Sequence, residues 1–386
     1  MHNPQDLVLA GGVFLLLFIG AFSLSRLKVP YILSFMLAGL AGKLFLPSRA
    51  EEVLMIFKSS AVILLFFFIG LEYSFERLLT MKKLLKPGFL DLLLNFFPAF
   101  FLSYLFTNNL IFSLVLGAVV YPSSTAITAK LLMDYKRLVN PEAELLIGIL
   151  IFEDLASILL LSILTGMGTA ETLDLLRVIL AIILFFVLFY LAKGLSKRAF
   201  DYMDRKVAEE LLPFLVLGFL LFSSGLSLSF GLSDALMAFM LGVIVPENSR
   251  AFEVIERSLS DLKELSVGVF FFMFTFHAKL SFDFNWWLLI LLLFLSVALK
   301  ILSTYLGALL YDLGKRTATR ASLSFIQRGE FSVIFASFYA PAQSMTFLLV
   351  LITTLLGSFS FLLAPGISQR LFPKKERKGP LPTPPS

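Results

Sequence analysis

The chain has 386 residues, 58% of them hydrophobic and only 15% charged, against about 45–50% and ~25% in soluble domains. A mean hydropathy of +0.91 reads as a polytopic membrane protein, and the absence of cysteine excludes disulfides and thiolate metal sites. The net charge of +5 belongs to loop topology rather than to nucleic-acid affinity, so no nucleic-acid partner is expected.

In chain order, thirteen hydrophobic segments are predicted, at about 7–24, 29–46, 51–72, 87–107, 109–134, 142–167, 172–193, 208–224, 229–246, 262–280, 286–310, 319–339 and 345–370. The residues ahead of the first, MHNPQD, lack the basic start of a cleavable signal. Loops after odd-numbered segments carry Arg26 and Lys28; Arg77, Lys82, Lys83 and Lys86; Lys136 and Arg137; Lys193, Lys197, Arg198, Arg205 and Lys206; Arg250, Arg257 and Lys263; Lys315, Arg316 and Arg320; and the tail adds Arg370, Lys374, Lys375, Arg377 and Lys378. The opposite side holds Arg49, Arg177 and Lys279. This alternation predicts an N-terminus outside and a C-terminus in the cytoplasm. The stretch 373–386, basic and rich in proline, is expected to be a disordered cytoplasmic tail.

Thirteen divides as six, one linker and six, and an odd linker inverts the second half. The interruptions correspond. Segment 5 breaks at Val120–Thr125, where Pro122 removes a backbone donor, and segment 12 breaks at Ile326–Ser332, around Gly329. Unwound backbone at membrane depth is tolerated only where it lines a cavity or is covered by protein. The expected fold is therefore an all-α membrane bundle of 6+1+6 inverted repeats with two crossed broken helices.

The sixth segment carries Glu153 and Asp154. Asp154 lies ten residues past Glu144, roughly 15 Å along a helix and so about half of a ~30 Å hydrocarbon core. One such carboxylate costs at least ~2.5 kcal/mol to insert, so the pair reads as an ion or proton site; a buried structural ion pair is the alternative. Neighbouring positions point about 100° apart, so one acid faces a cavity and the other a neighbouring helix. The partners available are Lys300 in segment 11 and Arg328 and Glu330 around Gly329 in segment 12, with Gln327 beside them. The assignment drawn is Asp154 as carrier with Lys300 as its partner, and Glu153 paired with Arg328. Asp91 and Asn95, one turn apart in segment 4, are supporting polar residues or simple helix packing. Trp286 and Trp287 read as an interfacial belt. No nucleotide-binding or metal-ligand pattern appears in the sequence, so neither an enzyme nor a cofactor is expected.

Several stretches resemble the monovalent cation–proton antiporters of the Kef/NapA branch. They are Phe68-Ile69-Gly70-Leu71-Glu72, Ser123-Ser124-Thr125-Ala126-Ile127, Phe152-Glu153-Asp154, Ala238-Phe239-Met240-Leu241-Gly242 and Arg328-Gly329-Glu330-Phe331-Ser332. The resemblance covers nearly the whole chain in the right order. It implies an NhaA/NapA-like fold, residues 1–372 forming the transmembrane antiporter domain. A core of about 87–167 and 286–370 would move against a homodimeric scaffold in the lipid of the inner (plasma) membrane. It implies that Asp154 binds cation and proton competitively, with Glu153, Ser123, Ser124 and Thr125 around it. Potassium is the favoured ion and sodium the other, ligated by oxygens of Asp154, Ser124 and Thr125. The family's cytosolic ligand-sensing domain is expected on a separate regulatory subunit. Two further classes stay open: a Kef-type potassium channel, which would lack the TVGYG-like filter, and an anion carrier of the same architecture, which paired central acids disfavour.

Overall fold

The computed structural model describes residues 4–26, 30–47, 49–72, 82–169, 198–229, 233–247, 249–278 and 283–373. Segment 7, the Arg77 loop, most of the Lys193–Arg198 loop and the tail beyond Pro373 lie outside these. The described chain is helical: α1 Pro4–Ser25, α2 Tyr31–Gly42, α3 Ala50–Glu72, α4 Lys82–Thr107, α5 Leu110–Val120, α6 Thr125–Asp134, α7 Pro141–Thr169, α8 Leu212–Ser229, α9 Asp234–Ile244, α10 Arg250–His277, α11 Trp286–Leu310, α12 Lys315–Leu323, α13 Glu330–Ser337 and α14 Gln343–Leu371. Among the described residues eight spans are long and apolar enough to cross a membrane, and two shorter helices, α2 and α9, are also apolar.

Local chemistry sets many of the starts. Asn109, Ser124, Ser233, Ser249 and Asn285 each accept a backbone N–H of the first turn with a side-chain oxygen. Segment 10 is longer than expected. The residues Arg250, Arg257 and Lys263, read as a loop, lie on the first half of α10. Ala251, Val254, Ile255 and Leu259 give that half a buried stripe at helical spacing, and the Asp204 carboxylate accepts the Arg250 and Ala251 amides at 3.2 and 2.9 Å. Hydropathy missed it because its other face is charged.

Packing sorts the helices into two groups. α3 packs on α9 and α10, α2 on α10 and α1, and α8 on α9. In the other group α4 packs on α5, α7 and α11; α12 on α11 and α14; and α13 on α5 and α14. Close approach holds the first group together. A Cβ on Gly70 of α3 would come within 3.0 Å of Gly242 Cα of α9, and one on Gly242 within 2.8 Å of the Leu71 nitrogen. Small residues let two helix backbones touch where lipid offers no hydrophobic gain. Between the groups, Phe66 of α3 meets Phe331 of α13 edge to face at 5.2 Å.

Candidate functional site

The two interruptions meet. α5 ends at Val120 and the chain restarts as α6 at Thr125; α12 ends at Leu323 and α13 begins at Glu330. The Ser124 amide donates to the Gln327 carbonyl at 2.9 Å, and the Ser332 hydroxyl to the Val119 carbonyl at 2.7 Å. Thr354 of α14 donates to the Arg328 carbonyl at 2.8 Å. Groups freed by unwinding are thus paired across the crossing, as buried backbone requires. Gly329 is needed for closeness rather than for strain: its φ of −160° is extended, but a Cβ there would collide with the Ser124 side chain.

Among the described residues, six buried acidic or basic side chains sit around the crossing. Asp91, Glu153, Asp154 and Glu330 are carboxylates; Lys300 and Arg328 are cations. Lys300 Nζ donates to Asp91 Oδ2 and Glu153 Oε1 at 2.7 Å each, and to the Tyr121 carbonyl at 3.0 Å. All three ammonium protons therefore have acceptors. Asp91 Oδ1 accepts from Ser303 Oγ at 2.6 Å and Asn95 Nδ2 at 3.0 Å. Glu153 Oε2 accepts the Ser123 amide at 2.6 Å, and Oε1 accepts the Ser123 hydroxyl at 3.3 Å.

Two pairings from sequence are corrected. The carboxylates gripping Lys300 are Asp91 and Glu153, where Asp154 was expected. Arg328 was expected on Glu153; its guanidinium instead donates to the Ser296 carbonyl at 2.8 Å, Ser123 Oγ at 3.3 Å and Asn95 Oδ1 at 3.5 Å. The reason is the packing of α4 on α11, which puts Asp91 beside Lys300. Asp91 is thus the residue that sequence reasoning undervalued. Its one-turn spacing to Asn95 was visible, but not the facing helix.

Asp154, 1% exposed, turns the other way from Glu153 along α7. Both of its oxygens lie 3.3 Å from Thr125 Oγ1, which donates to them. Glu330 Oε2 accepts from Ser124 Oγ at 2.8 Å, and Oε1 from the Ala126 amide at 3.3 Å. Gln327 is fully buried, and neither its side-chain oxygen nor its nitrogen has a partner among the described residues. The expected residues Ser123, Ser124, Thr125, Glu153, Asp154, Asp91, Asn95, Lys300, Gln327, Arg328 and Glu330 are therefore all at or beside one crossing. Fully ionised, the set is two positive charges short. A desolvated surplus of negative charge is held only by taking up protons or cations.

A family model described as a transmembrane sodium/hydrogen exchanger matches residues 13–372. The ammonium/H+ antiporter subunit AmhT of Alkalihalophilus pseudofirmus is 34% identical over 382 residues, covering 96% of each chain. The K+/H+ antiporter subunit KhtU of Bacillus subtilis is 27% identical over 324 residues, 80% of this chain and 79% of that one. The sodium proton antiporter MjNhaP1 of Methanocaldococcus jannaschii, solved at pH 8, superposes with a TM-score of 0.68 at 18% identity, over 95% of this chain and 99% of that one. At that identity the likeness concerns the fold alone.

Proposed function

The chain belongs to the sodium/hydrogen exchanger family of membrane cation/proton antiporters, and from that premise we propose that it exchanges a monovalent cation for protons by alternating access at Asp154. One observation carries this reading: a buried carboxylate held by a neutral hydroxyl, inside a site two positive charges short. Desolvation favours the protonated acid, and a bound cation favours the ionised one. Proton and cation therefore compete for the same oxygens of Asp154, with Ser124, Thr125 and freed carbonyls as further ligands. A site open to one face at a time couples the two fluxes.

Potassium is the favoured cation. The KhtU likeness supports it, and the AmhT likeness brings in ammonium, an ion of similar size, as a second substrate of the same site. The helices 87–167 and 286–370 form the proposed moving core, and the remaining helices the scaffold of a homodimer. The Lys- and Arg-rich side faces the cytoplasm, with the N-terminus outside the inner membrane. Both relatives are themselves described as subunits, which supports a separate cytosolic regulator docking on that basic face.

The test is dye quenching in proteoliposomes with K+, NH4+, Na+, Li+ and Rb+. Obligatory exchange moves protons with K+ or NH4+. A channel would collapse the cation gradient without obligatory proton flux, and would overturn the reading.

A further inference from the structure

A cavity of about 580 Å³ lies between the two helix groups, walled by α2, α3 and α10 on one side and α6, α13 and α14 on the other. Its lining includes Ala126 and the buried Glu330 but not Asp154. Thr125, which donates to Asp154, is the residue before Ala126. An ion entering by this cavity therefore meets Glu330 first.

Glu330 is equipped to hold it. Each carboxylate oxygen uses one acceptor site, on the Ser124 hydroxyl and the Ala126 amide, so acceptor capacity remains. Among the described residues no basic group lies within ion-pair reach of it. The charged neighbours along the wall are Lys130, Asp134, Lys263 and Glu264. Lys263 pairs with Glu264 at 3.0 Å and sits over the Phe68 ring, and Lys130 sits over the Tyr31 ring at 4.4 Å. Neither lysine neutralises Glu330.

Two polar groups without partners among the described residues lie on or behind the cavity wall. Ser358 lines the cavity, and its buried hydroxyl oxygen is unpartnered among the described residues. Gln327, fully buried with both amide atoms unpartnered, packs its Cγ against Gly357, the neighbour of Ser358; a Cβ there would lie 2.8 Å away. Its carbonyl takes the amide of Ser124, whose hydroxyl binds Glu330. Buried polar atoms of native proteins are rarely left without a partner.

We propose that Glu330 forms a second, outer site for a monovalent cation on the wall of this cavity, where the ion is partly stripped of water before it passes Thr125 to Asp154. The neutral oxygen of Ser358 on the wall replaces part of the lost hydration, with the buried amide of Gln327 behind Gly357 as a further polar group. The site rests on the exchange reading above and adds a loading step to it. It is empty of any duty in the Lys300 network, which Asp91 and Glu153 satisfy.

The experiment measures radioactive rubidium binding to purified full-length protein at alkaline pH. Wild type is expected to bind two ions, Asp154→Asn to retain one, and Asp154→Asn with Glu330→Gln to retain none. In liposomes Glu330→Gln raises the cation KM about tenfold, the factor that ~1.4 kcal/mol represents, with a smaller change in kcat, and Glu330→Asp recovers part of it. Glutamine keeps one acceptor, for the Ala126 amide, and its NH2 can donate to the Ser124 hydroxyl oxygen; an unchanged melting temperature checks the fold. One ion on wild type and none on Asp154→Asn would overturn the outer site while leaving exchange at Asp154 intact. A Glu330→Gln variant with lower kcat, lower melting temperature and unchanged KM would make the residue structural and overturn it too. No rubidium on wild type would remove the exchange reading itself, and the outer site with it.

Discussion

Asp154→Asn removes the ionisable carboxylate whose two oxygens the Thr125 hydroxyl holds at the crossing. The amide still accepts from Thr125, so the variant should insert and fold with a melting temperature near that of wild type. Coupled exchange should fall to background in dye-quenching assays; exchange near the wild-type rate would reject the assignment. Glu153 should behave differently, because Lys300 and the Ser123 amide both depend on it. Removing one partner of a buried ion pair typically costs ~3–5 kcal/mol. Glu153→Gln and Lys300→Gln should each destabilise the protein by about that much, and the double variant should lose clearly less than the sum. The Glu153–Arg328 cycle should show clearly weaker coupling than the Glu153–Lys300 cycle, since Arg328 reaches Glu153 through the shared Ser123 hydroxyl and otherwise rests on the neutral oxygens of Ser296 and Asn95. Strong coupling there, measured by thermal unfolding, would restore the pairing read from sequence. The identity of the charged residues was legible because they stand singly or in close pairs inside otherwise apolar runs. Their partners were not, because periodicity says which face a residue occupies on its own helix and nothing of which helix lies opposite.

At the scale of elements, the breaks were legible for a physical reason: Pro122 and the run Gln327–Glu330 cannot continue a hydrophobic helix. What sequence did not reveal is how closely they cross. Gly329→Ala would drive a methyl into Ser124; relief requires moving α6 against α13, which should cost about 1–3 kcal/mol and depress exchange more than Gly366→Ala, where nothing lies within 4 Å. Equal, mild effects of the two substitutions would show that the crossing is loose. A second brace joins the half-helices beyond the site. Glu142 at the start of α7, fully buried, accepts from Arg137 after α6 at 3.2 Å and from Arg320 of α12. Arg137 reaches on to Ser324 at 2.9 Å and stacks over Phe361 of α14 at 4.2 Å. Burial pushes the Arg137 guanidinium below its ordinary range while Glu142 pulls it back. Arg137 and Arg320 were read from sequence as topology signals only. Glu142→Gln should lower stability by about 3–5 kcal/mol in thermal unfolding, with the cation KM unchanged because the brace touches neither Asp154 nor Glu330.

For the whole molecule the open quantity is the number of charges moved per cycle, and Lys300 decides it. A lysine that released its proton as the cation entered would carry a second proton and make exchange generate current. That scheme requires Lys300 to lean on Asp154 while the site is empty, as its expected pairing implied. The geometry gives the ammonium to two other carboxylates, Asp91 and Glu153, and to the Tyr121 carbonyl. These contacts lie within one group of packed helices, α4, α5 with the break that follows it, α7 and α11, so a rigid-body movement of that group against α2, α3 and α10 would leave them intact. A buried ammonium stays charged when paired acids surround it throughout the cycle, since neutralising it would strand two carboxylates in low dielectric. Exchange should then be one for one and electrically silent. On a solid-supported membrane, a K+ jump should evoke no sustained transport current from wild type, while dye quenching in the same proteoliposomes reports proton movement. A sizeable current that disappears in Lys300→Gln while exchange persists would instead make Lys300 the second proton carrier. It would also require the Asp91–Lys300–Glu153 triad to open in each cycle.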